Sequence, residues 1–319
     1  ATAAAALEPL AVRLGGTLSL TGGDASNASQ HALQGLLLLA ESVNSTAPFR
    51  LADGREIVVQ LHVEDDTGKA QTAQQLYQSM HASGAVDLFF GPASAALSLE
   101  AAKVADEVDR VIMLHADPHP STYDRGFRSV FSTNLMAPDY MKDGLRLLHA
   151  RGARTVSVAW ESSALNEAMC KGAIDHAQSL GYEVLSNFSF GKVDLTGDIR
   201  QTALINPDVF VGCGSEVDDI LTVVTSRAVG FAPRAMLLAQ AATAAFVEAV
   251  GTPNANFLLS PVSWHATAVN ARTELGGPVE CRVFGSAGGF AQAYSARFGV
   301  DPEPGAAAAA AAALALLAA

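Results

Sequence analysis

The chain has 319 residues, half of them hydrophobic, which is enough material to bury the cores of two domains or of one large one. Its formal net charge of −12 at pH 7 creates a field that repels the phosphates of nucleic acids and of anionic lipid headgroups. Composition and charge therefore exclude a disordered chain and argue against nucleic-acid or membrane-surface partners.

Strand-like apolar runs alternate with helical patterns along the whole chain, which is typical of a parallel sheet with helices on both faces. The predicted strands are 13–20, 57–64, 88–90, 111–114, 155–160, 184–188, 209–211, 235–238 and 257–259. The predicted helices are 30–43, 69–83, 95–109, 139–151, 166–180, 198–205, 217–229, 243–250 and 286–298. The last run, 305–319, is apolar but shorter than the roughly 20 residues that cross a bilayer, so we predict a core helix cut short.

The elements fall into two similar groups, because a second series begins at Gly152-Ala153-Arg154. We therefore predict an α/β fold of two Rossmann-like, doubly wound lobes joined by a hinge. Lobe 1 comprises residues 1–136 and 265–319, and lobe 2 comprises residues 137–264. The expected crossings lie near residues 132–138 and 261–265.

Three cysteines, Cys170, Cys213 and Cys281, show no C-x-x-C spacing and are too few for a disulfide scaffold. At most one disulfide can form among them. We predict instead that each one is a small buried hydrophobic residue.

In doubly wound sheets, ligands bind at the carboxyl ends of the strands. The loops at those positions carry side chains that are better suited to bind a ligand than to react with it. These loops are Thr21-Gly22-Gly23-Asp24, Asp65-Asp66-Thr67-Gly68, Gly91-Pro92-Ala93-Ser94, residues 115–119, Glu161-Ser162-Ser163, Gly212-Cys213-Gly214-Ser215-Glu216 and Gln240. Asp65 and Asp66 fit turn and cap positions, and Asp117, Glu161 and Glu216 are interpreted as solvated loop charges.

Motifs for nucleotide binding and nucleophilic catalysis are missing. The sequence has no G-x-x-x-x-G-K-[ST], no G-x-G-x-x-G after the first strand, and no G-x-S-x-G around Ser94. An enzyme of Rossmann-like class is supported only by the α/β pattern, so we predict a non-enzymatic protein without a cofactor.

The arrangement His115-x-Asp117-x-His119 imitates a zinc site, because alternate residues of an extended segment point to one side. Pro118 and Pro120 interrupt that extended segment, and no further ligand motif is nearby. We therefore predict the polar rim of a pocket here, with no bound metal.

Three sequons are glycan acceptor motifs, Asn27-Ala28-Ser29, Asn44-Ser45-Thr46 and Asn187-Phe188-Ser189. The N-terminal ATAAAA lacks the features of a signal peptide but is compatible with the stub left after cleavage of one. These features favour an extracytoplasmic location, and we expect the three asparagines to be exposed.

The segments LGGTLSLTG, VVQLHVEDDTGKAQTAQQLYQSM, DLFFGPASAALSLEAAKVADE and FGSAGGFAQAYSARFGV resemble the type I periplasmic binding proteins, in particular their branched-chain amino-acid-binding branch. The most specific part is the spacing of Asp65-Asp66 and Gly91-Pro92 with a helix between them. The resemblance implies a two-lobed clam-shell that closes on a small ligand. The ligand is then delivered to a membrane transporter, or sensed by the ectodomain of a larger receptor of the cyclase or kinase type. Family members continue beyond the Ala-rich helix, so the resemblance also implies that the C-terminal part is missing here.

The resemblance further implies a ligand site on two loops of lobe 1 and three of lobe 2. The helix that follows Gly91-Pro92 would hold a ligand carboxylate with its N–H groups. The implied ligand-binding residues are Ser94, Ala95, Ala96, Ala116, Asp117, Pro118, Trp160, Leu165, Ser215 and Gln240. Ala95 stands where a hydroxyl is usual, and Gln240 stands where an acid often meets the ligand's ammonium group. The site therefore has fewer polar side chains to hold the ligand than the sites of the family's amino-acid binders.

Two of these residues have an equally good structural interpretation. Ser94 is a favourable helix N-cap, and Trp160 fits a partly buried core aromatic. The partners expected are a small-molecule ligand, a membrane transporter or receptor portion, and a second copy bound through lobe 1.

Overall fold

A computed structural model describes residues 8–22, 27–191, 195–268 and 283–318. The chain divides into two compact units, of which lobe 1 is Ala1–Asn134 with Ser263–Ala319, and lobe 2 is Leu135–Val262. Each lobe has its own five-stranded sheet in which all paired strands are parallel. The predicted fold of two parallel α/β lobes is confirmed.

The strands are β1 (Leu10–Leu18), β2 (Ile57–Asp65), β3 (Leu88–Phe90), β4 (Ile112–Leu114), β5 (Val130–Ser132), β6 (Thr155–Glu161), β7 (Glu183–Phe190), β8 (Val209–Cys213), β9 (Ala235–Leu238) and β10 (Leu258–Leu259). The helices are α1 (Asn27–Ser45), α2 (Ala70–Ala82), α3 (Ala95–Glu107), α4 (Pro120–Tyr123), α5 (Lys142–Ala150), α6 (Ala164–Leu180), α7 (Leu195–Ile205), α8 (Glu216–Ala228), α9 (Ala244–Val250), α10 (Ala287–Phe298) and α11 (Pro304–Ala318). The strand order is β2-β1-β3-β4-β5 in lobe 1 and β10-β9-β8-β6-β7 in lobe 2.

Two short elements of lobe 1, β5 and α4, were absent from the predicted set. Strand β5 has three residues and, within the described ranges, pairs with β4 alone. Helix α4 has four residues and begins at Pro120. Neither is long enough to show a periodic apolar pattern, which is the signal that sequence interpretation uses.

The Ala-rich helix α11 belongs to the core of lobe 1, as predicted. It packs with α1 and α10 over one face of the sheet, while α2 and α3 cover the other. Small side chains let α1 and α11 approach closely, because a Cβ added at Gly35 would lie 2.2 Å from the carbonyl oxygen of Ala306. Among the helices of the described ranges, none is long and apolar enough to cross a membrane.

In lobe 2, α5 and α6 cover one face of the sheet, and α7, α8 and α9 cover the other. A disulfide joins Cys170 in α6 to Cys213 at the end of β8, with the two Cα atoms 6.0 Å apart. Both residues are fully buried. The prediction of isolated, purely hydrophobic cysteines was therefore wrong for this pair, because the buried side of α6 meets the end of β8. Cys281 lies outside the described residues.

Candidate functional site

The Gly91-Pro92 loop connects β3 to α3 in lobe 1. The N–H of Gly91 donates to the carbonyl oxygen of Met113, in β4, at 3.0 Å. A Cβ at Gly91 would lie 2.6 Å from Leu114 Cδ2 and 3.2 Å from Leu114 Cα, so a larger residue would require the Leu114 side chain to move and the neighbouring strand to give slightly. The loop therefore sits at a fixed position on the carboxyl edge of the sheet.

Ser94 occupies the N-cap position of α3 in an extended conformation, yet within the described helix its hydroxyl makes no capping hydrogen bond. The first backbone hydrogen bond of the helix is donated by the N–H of Ser98 to the carbonyl oxygen of Ser94, at 2.9 Å. The preceding N–H groups lie at the helix start, where the helix dipole is positive. Ala96 is exposed in this first turn. The capping interpretation of the Ser94 side chain is thus not supported by its contacts.

A buried hydrogen-bond chain holds the base of this loop. The hydroxyl of Tyr77 donates to the carbonyl oxygen of Phe90 at 2.6 Å and accepts the N–H of Thr17 at 3.2 Å. Burial raises the pKa of Tyr77 above its ordinary value, so the phenol remains a neutral donor. These two hydrogen bonds connect the ends of β1 and β3 to α2. Sequence patterns did not predict this connection.

The two acidic residues at the end of β2, Asp65 and Asp66, hold turns, as their sequence context predicted. Asp66 is fully buried, and its Oδ1 accepts from Ser19 Oγ at 2.7 Å and from the N–H of Gly68 at 2.9 Å. Asp65 accepts from the Thr21 hydroxyl and from the N–H groups of Leu20, Thr21 and Thr67, at 3.0, 3.2 and 3.0 Å respectively. The Thr21 hydrogen bond is the main reason that the pKa of Asp65 is lowered.

The loop after β4 contains a buried carboxylate instead of the solvated charge predicted for Asp117. Asp117 is 1% exposed, and its oxygens accept from the N–H of His119 at 3.1 Å and from Thr122 Oγ1 at 2.7 Å. Its carbonyl oxygen also accepts from the Tyr123 hydroxyl at 2.8 Å. The side chain therefore shapes the loop, because α4 folds back over it.

His115 precedes this loop and is also buried. Burial lowers its pKa to about 4, so the imidazole is neutral at physiological pH, and among the described residues its Nε2 has no hydrogen-bond partner. His119 is engaged differently, since its Nδ1 accepts the N–H of Ser121 at 3.1 Å. In the described parts of the chain, no three His, Cys, Asp or Glu side chains cluster so that they could hold a metal ion.

In lobe 2, two of the implied site residues, Leu165 and Ser215, lie at helix starts. Ser163 caps α6 through a bond from the N–H of Asn166 at 3.4 Å, and the half-buried Leu165 lies in the first turn. Trp160 packs partly buried against the α5–α6 core, which agrees with its structural interpretation. Glu161 is not a free loop charge, since it accepts from Asn166 Nδ2 at 3.1 Å.

Ser215 and Gln240 are both linked to consecutive acidic residues of α8. Ser215 forms a capping box with Asp218, in which its Oγ donates to Asp218 Oδ2 at 2.6 Å. The N–H of Gln240 donates to Asp219 Oδ2 at 2.6 Å. Asp219 is 1% exposed, and burial raises its pKa to about 8. Its carboxyl group is therefore mainly neutral at pH 7, and it fixes the loop that carries Gln240.

Each lobe gathers its implied site residues on adjacent strands. In lobe 1 they follow β3 and β4. In lobe 2, Trp160 lies near the end of β6 and the others follow β6, β8 and β9, which are neighbours in that order. The Cys170–Cys213 disulfide is close in sequence to two of these helix starts. Cys170 follows Leu165 by five residues, and Cys213 precedes Ser215 by two. Asp219 and the disulfide were missed because the sequence does not show which face of a helix meets a strand end.

A sequence model of the periplasmic binding protein family matches residues 11–319. The chain belongs to this family. A protein assigned to a branched-chain amino acid ABC transporter of Rhodospirillum rubrum is similar in structure, with a TM-score of 0.77, 17% identity, and coverage of 97% of this chain and 84% of that one.

Two structures solved with bound ligands are also similar. An ABC transporter substrate-binding protein from Desulfitobacterium hafniense in complex with Leu has a TM-score of 0.73, 16% identity, and coverage of 97% of this chain and 83% of that one. A solute binding protein of an ABC transporter from Rhodopseudomonas palustris in complex with 3,4-dihydroxybenzoic acid has a TM-score of 0.68, 13% identity, and coverage of 97% and 80%. The resemblance to type I periplasmic binding proteins is confirmed, and membership of the family implies an extracytoplasmic location.

The three sequon asparagines of this periplasmic binding protein are exposed, as expected. Asn27 Nδ2 donates to Glu303 Oε1 at 2.7 Å. Asn44 Nδ2 donates to the carbonyl oxygen of Val59 at 2.9 Å, and Asn44 Oδ1 accepts the N–H of Val59 at 2.8 Å. Two of the three amides thus have structural contacts, and glycosylation at Asn27, Asn44 and Asn187 stays a prediction.

Proposed function

We propose that this chain is the substrate-binding component of an ABC transporter and that it binds a small carboxylate, an amino acid or a related acid. The observation that carries the proposal is the start of α3, where the Gly91-Pro92 loop is fixed and the cap does not use the Ser94 hydroxyl. A helix start of this kind offers N–H groups and a positive dipole end to an anion. The two ligands named for the similar structures, leucine and 3,4-dihydroxybenzoic acid, are both carboxylic acids.

The same proposal assigns the other implied residues to the ligand surface. Ala95, Ala116 and Pro118 would shape the lobe 1 side, and Asp117 would act through the loop it holds. Trp160, Leu165, Ser215 and Gln240 would face the ligand from lobe 2. The Ser215 hydroxyl and the Gln240 loop are held by Asp218 and Asp219, which supports a preorganised site.

We further propose that the ligand drives closure of the two lobes and that the chain performs no catalysis. A ligand that contacts both lobes makes its full set of contacts only in the closed form, so its differential affinity shifts the population toward closure. The buried disulfide supports an oxidising, extracytoplasmic compartment.

The test combines a ligand screen with a charge substitution at Ala96. A thermal-shift panel of amino acids and aromatic carboxylates identifies the ligand, and calorimetry then gives its affinity for wild type, Ala96→Asp and the uncharged control Ala96→Asn. At an effective dielectric constant of about 20, two like charges roughly 4 Å apart repel by about 4 kcal/mol, which corresponds to a loss of about three orders of magnitude in affinity. We expect Ala96→Asn to retain more affinity than Ala96→Asp.

Unchanged affinity of Ala96→Asp would place the anion elsewhere. X-ray scattering with and without the ligand tests closure separately, with a smaller radius of gyration expected for the complex. A ligand that binds without compaction would contradict the closure mechanism.

A further inference from the structure

Helix α8 of lobe 2 packs on the core through Val223 and Ile220, but most of its buried residues are polar and several of its exposed ones are large and apolar. Its buried residues are Asp219, Thr222, Val223, Thr225 and Ser226, four of which are polar. Its exposed side instead carries large apolar residues, since Val217 is 72%, Leu221 is 47% and Val224 is 48% exposed. A helix that served only the core of lobe 2 would turn these side chains inward.

The exposed apolar residues form a continuous stripe. Val217, Leu221, Val224 and the exposed Ala228 are separated by four, three and four residues, so they lie within about 60° of one another around the helix axis. This 4-3-4 spacing is the seam pattern by which two helices pack against each other. Contiguous exposed apolar patches of this kind mark interaction surfaces.

The charges beside the stripe are complementary to those of a second copy. Glu216 and Arg227 are eleven residues apart, so they lie about 20° apart on one flank of the stripe, about three turns from each other. Both side chains are anchored toward the α9 region, since Glu216 accepts from the Thr243 hydroxyl and Arg227 Nη2 donates to the carbonyl oxygen of Asn254 at 3.2 Å. A two-fold axis perpendicular to the helix keeps the flank on the same side in both copies and reverses the direction of α8. Glu216 of each copy then meets Arg227 of the other.

We propose that α8 is the interface of a homodimer in which the stripes of two copies pack antiparallel about a two-fold axis. The interface is isologous, so one surface supplies both the apolar seam and both ion pairs. It lies on lobe 2, unlike the lobe 1 contact expected from the sequence, and it does not depend on the identity of the ligand.

Sedimentation equilibrium at micromolar concentrations and about 150 mM salt tests the apolar seam, because salt screens the repulsion between two chains of charge −12. The wild type is expected to reach twice the mass of the 33.0 kDa chain. Leu221→Glu is expected to stay monomeric, with Leu221→Ser as a milder second variant. Leu147→Glu is the matched control, because Leu147 is also 47% exposed but lies on α5, in the other helical layer of lobe 2, and it should dimerise like wild type.

Charge reversal then tests the direction of packing. Glu216→Arg alone and Arg227→Glu alone each place like charges together at both ends of the seam, so each should weaken the dimer at least tenfold. An equimolar mixture of the two variants restores both ion pairs and should form a heterodimer with near wild-type affinity. A monomeric wild type at about 100 µM, or a Leu221→Glu dimer as stable as the control, would overturn the proposal. So would α8-dependent binding of a transporter membrane subunit by a chain that remains monomeric.

Discussion

The disulfide between Cys170 and Cys213 should stabilise lobe 2 selectively. Both cysteines lie in lobe 2, and they close a loop with a sequence separation of 43 residues. Reduction with dithiothreitol under partly denaturing conditions breaks this cross-link without changing any side chain other than the two thiols. The variant Cys170→Ala/Cys213→Ala provides the same test without a reductant.

The chain-entropy relation gives the expected magnitude. A cross-link that closes a loop of this length removes about 13 cal/mol/K from the entropy of the unfolded chain, which corresponds to about 4 kcal/mol at 25 °C. For a unit of this size we take a urea m-value of about 2 kcal/mol/M. The unfolding midpoint of lobe 2 should therefore fall by about 2 M urea when the bond is broken.

The two tryptophans of the chain allow each lobe to be followed separately. Trp160 lies in β6 of lobe 2, and Trp264 packs on Phe290 in the core of lobe 1. Trp264→Phe leaves a reporter for lobe 2, and Trp160→Phe leaves one for lobe 1. Urea unfolding of each variant, with and without reductant, gives four fluorescence midpoints to compare.

The expected result is a lower midpoint for the Trp160 signal and an unchanged midpoint for the Trp264 signal. Thiol titration of the reduced chain confirms that the bond has been broken, and Cys281→Ala controls for the third cysteine. A lobe 2 midpoint that does not move after complete reduction would refute the argument. Equal shifts at both reporters would also refute it, because the cross-link constrains only lobe 2.

Three further predictions concern stability within single lobes. The pKa of Asp219 is raised to about 8 in the folded state from an ordinary value of 3.8, so the folded chain holds a proton that the unfolded chain loses. Lobe 2 should then lose roughly 1.4 kcal/mol per pH unit as the pH rises between about 5 and 7, and Asp219→Asn should abolish this slope in urea titrations at several pH values. The pKa of His115 is lowered to about 4 from 6.5, so lobe 1 should lose stability as the pH falls through this window, and a His115→Leu variant with the same acid dependence would show that another group is responsible. Gly35→Ala should destabilise lobe 1 by about 1–3 kcal/mol, because the new Cβ meets Ala306. Gly191→Ala, whose Cβ has no atom of the described residues within 4 Å, should leave the thermal midpoint nearly unchanged.

Much of the candidate site could be predicted because it depends on local sequence. The Gly91-Pro92 loop and the start of α3 are short-range features, and the carboxyl ends of parallel strands are where such loops gather. The contacts of Asp117 could not be predicted in this way. Its burial depends on α4, a four-residue helix whose own sequence carries no periodic signal.

The alternation of apolar strands with helical patterns determined the class of fold, since each pattern specifies which side of a helix or strand is buried. The second series of elements, which begins at Gly152-Ala153-Arg154, indicated two lobes. The tertiary structure alone decided that Cys170 meets Cys213, that Asp219 is buried against the Gln240 loop, and that α8 turns its apolar side outward. These features depend on which face of a helix lies against the sheet. In α8 apolar residues occur on both sides of the helix, since Val223 is buried in the core while Leu221 and Val224 are exposed, so only the packing of the helix on lobe 2 fixed which side is buried.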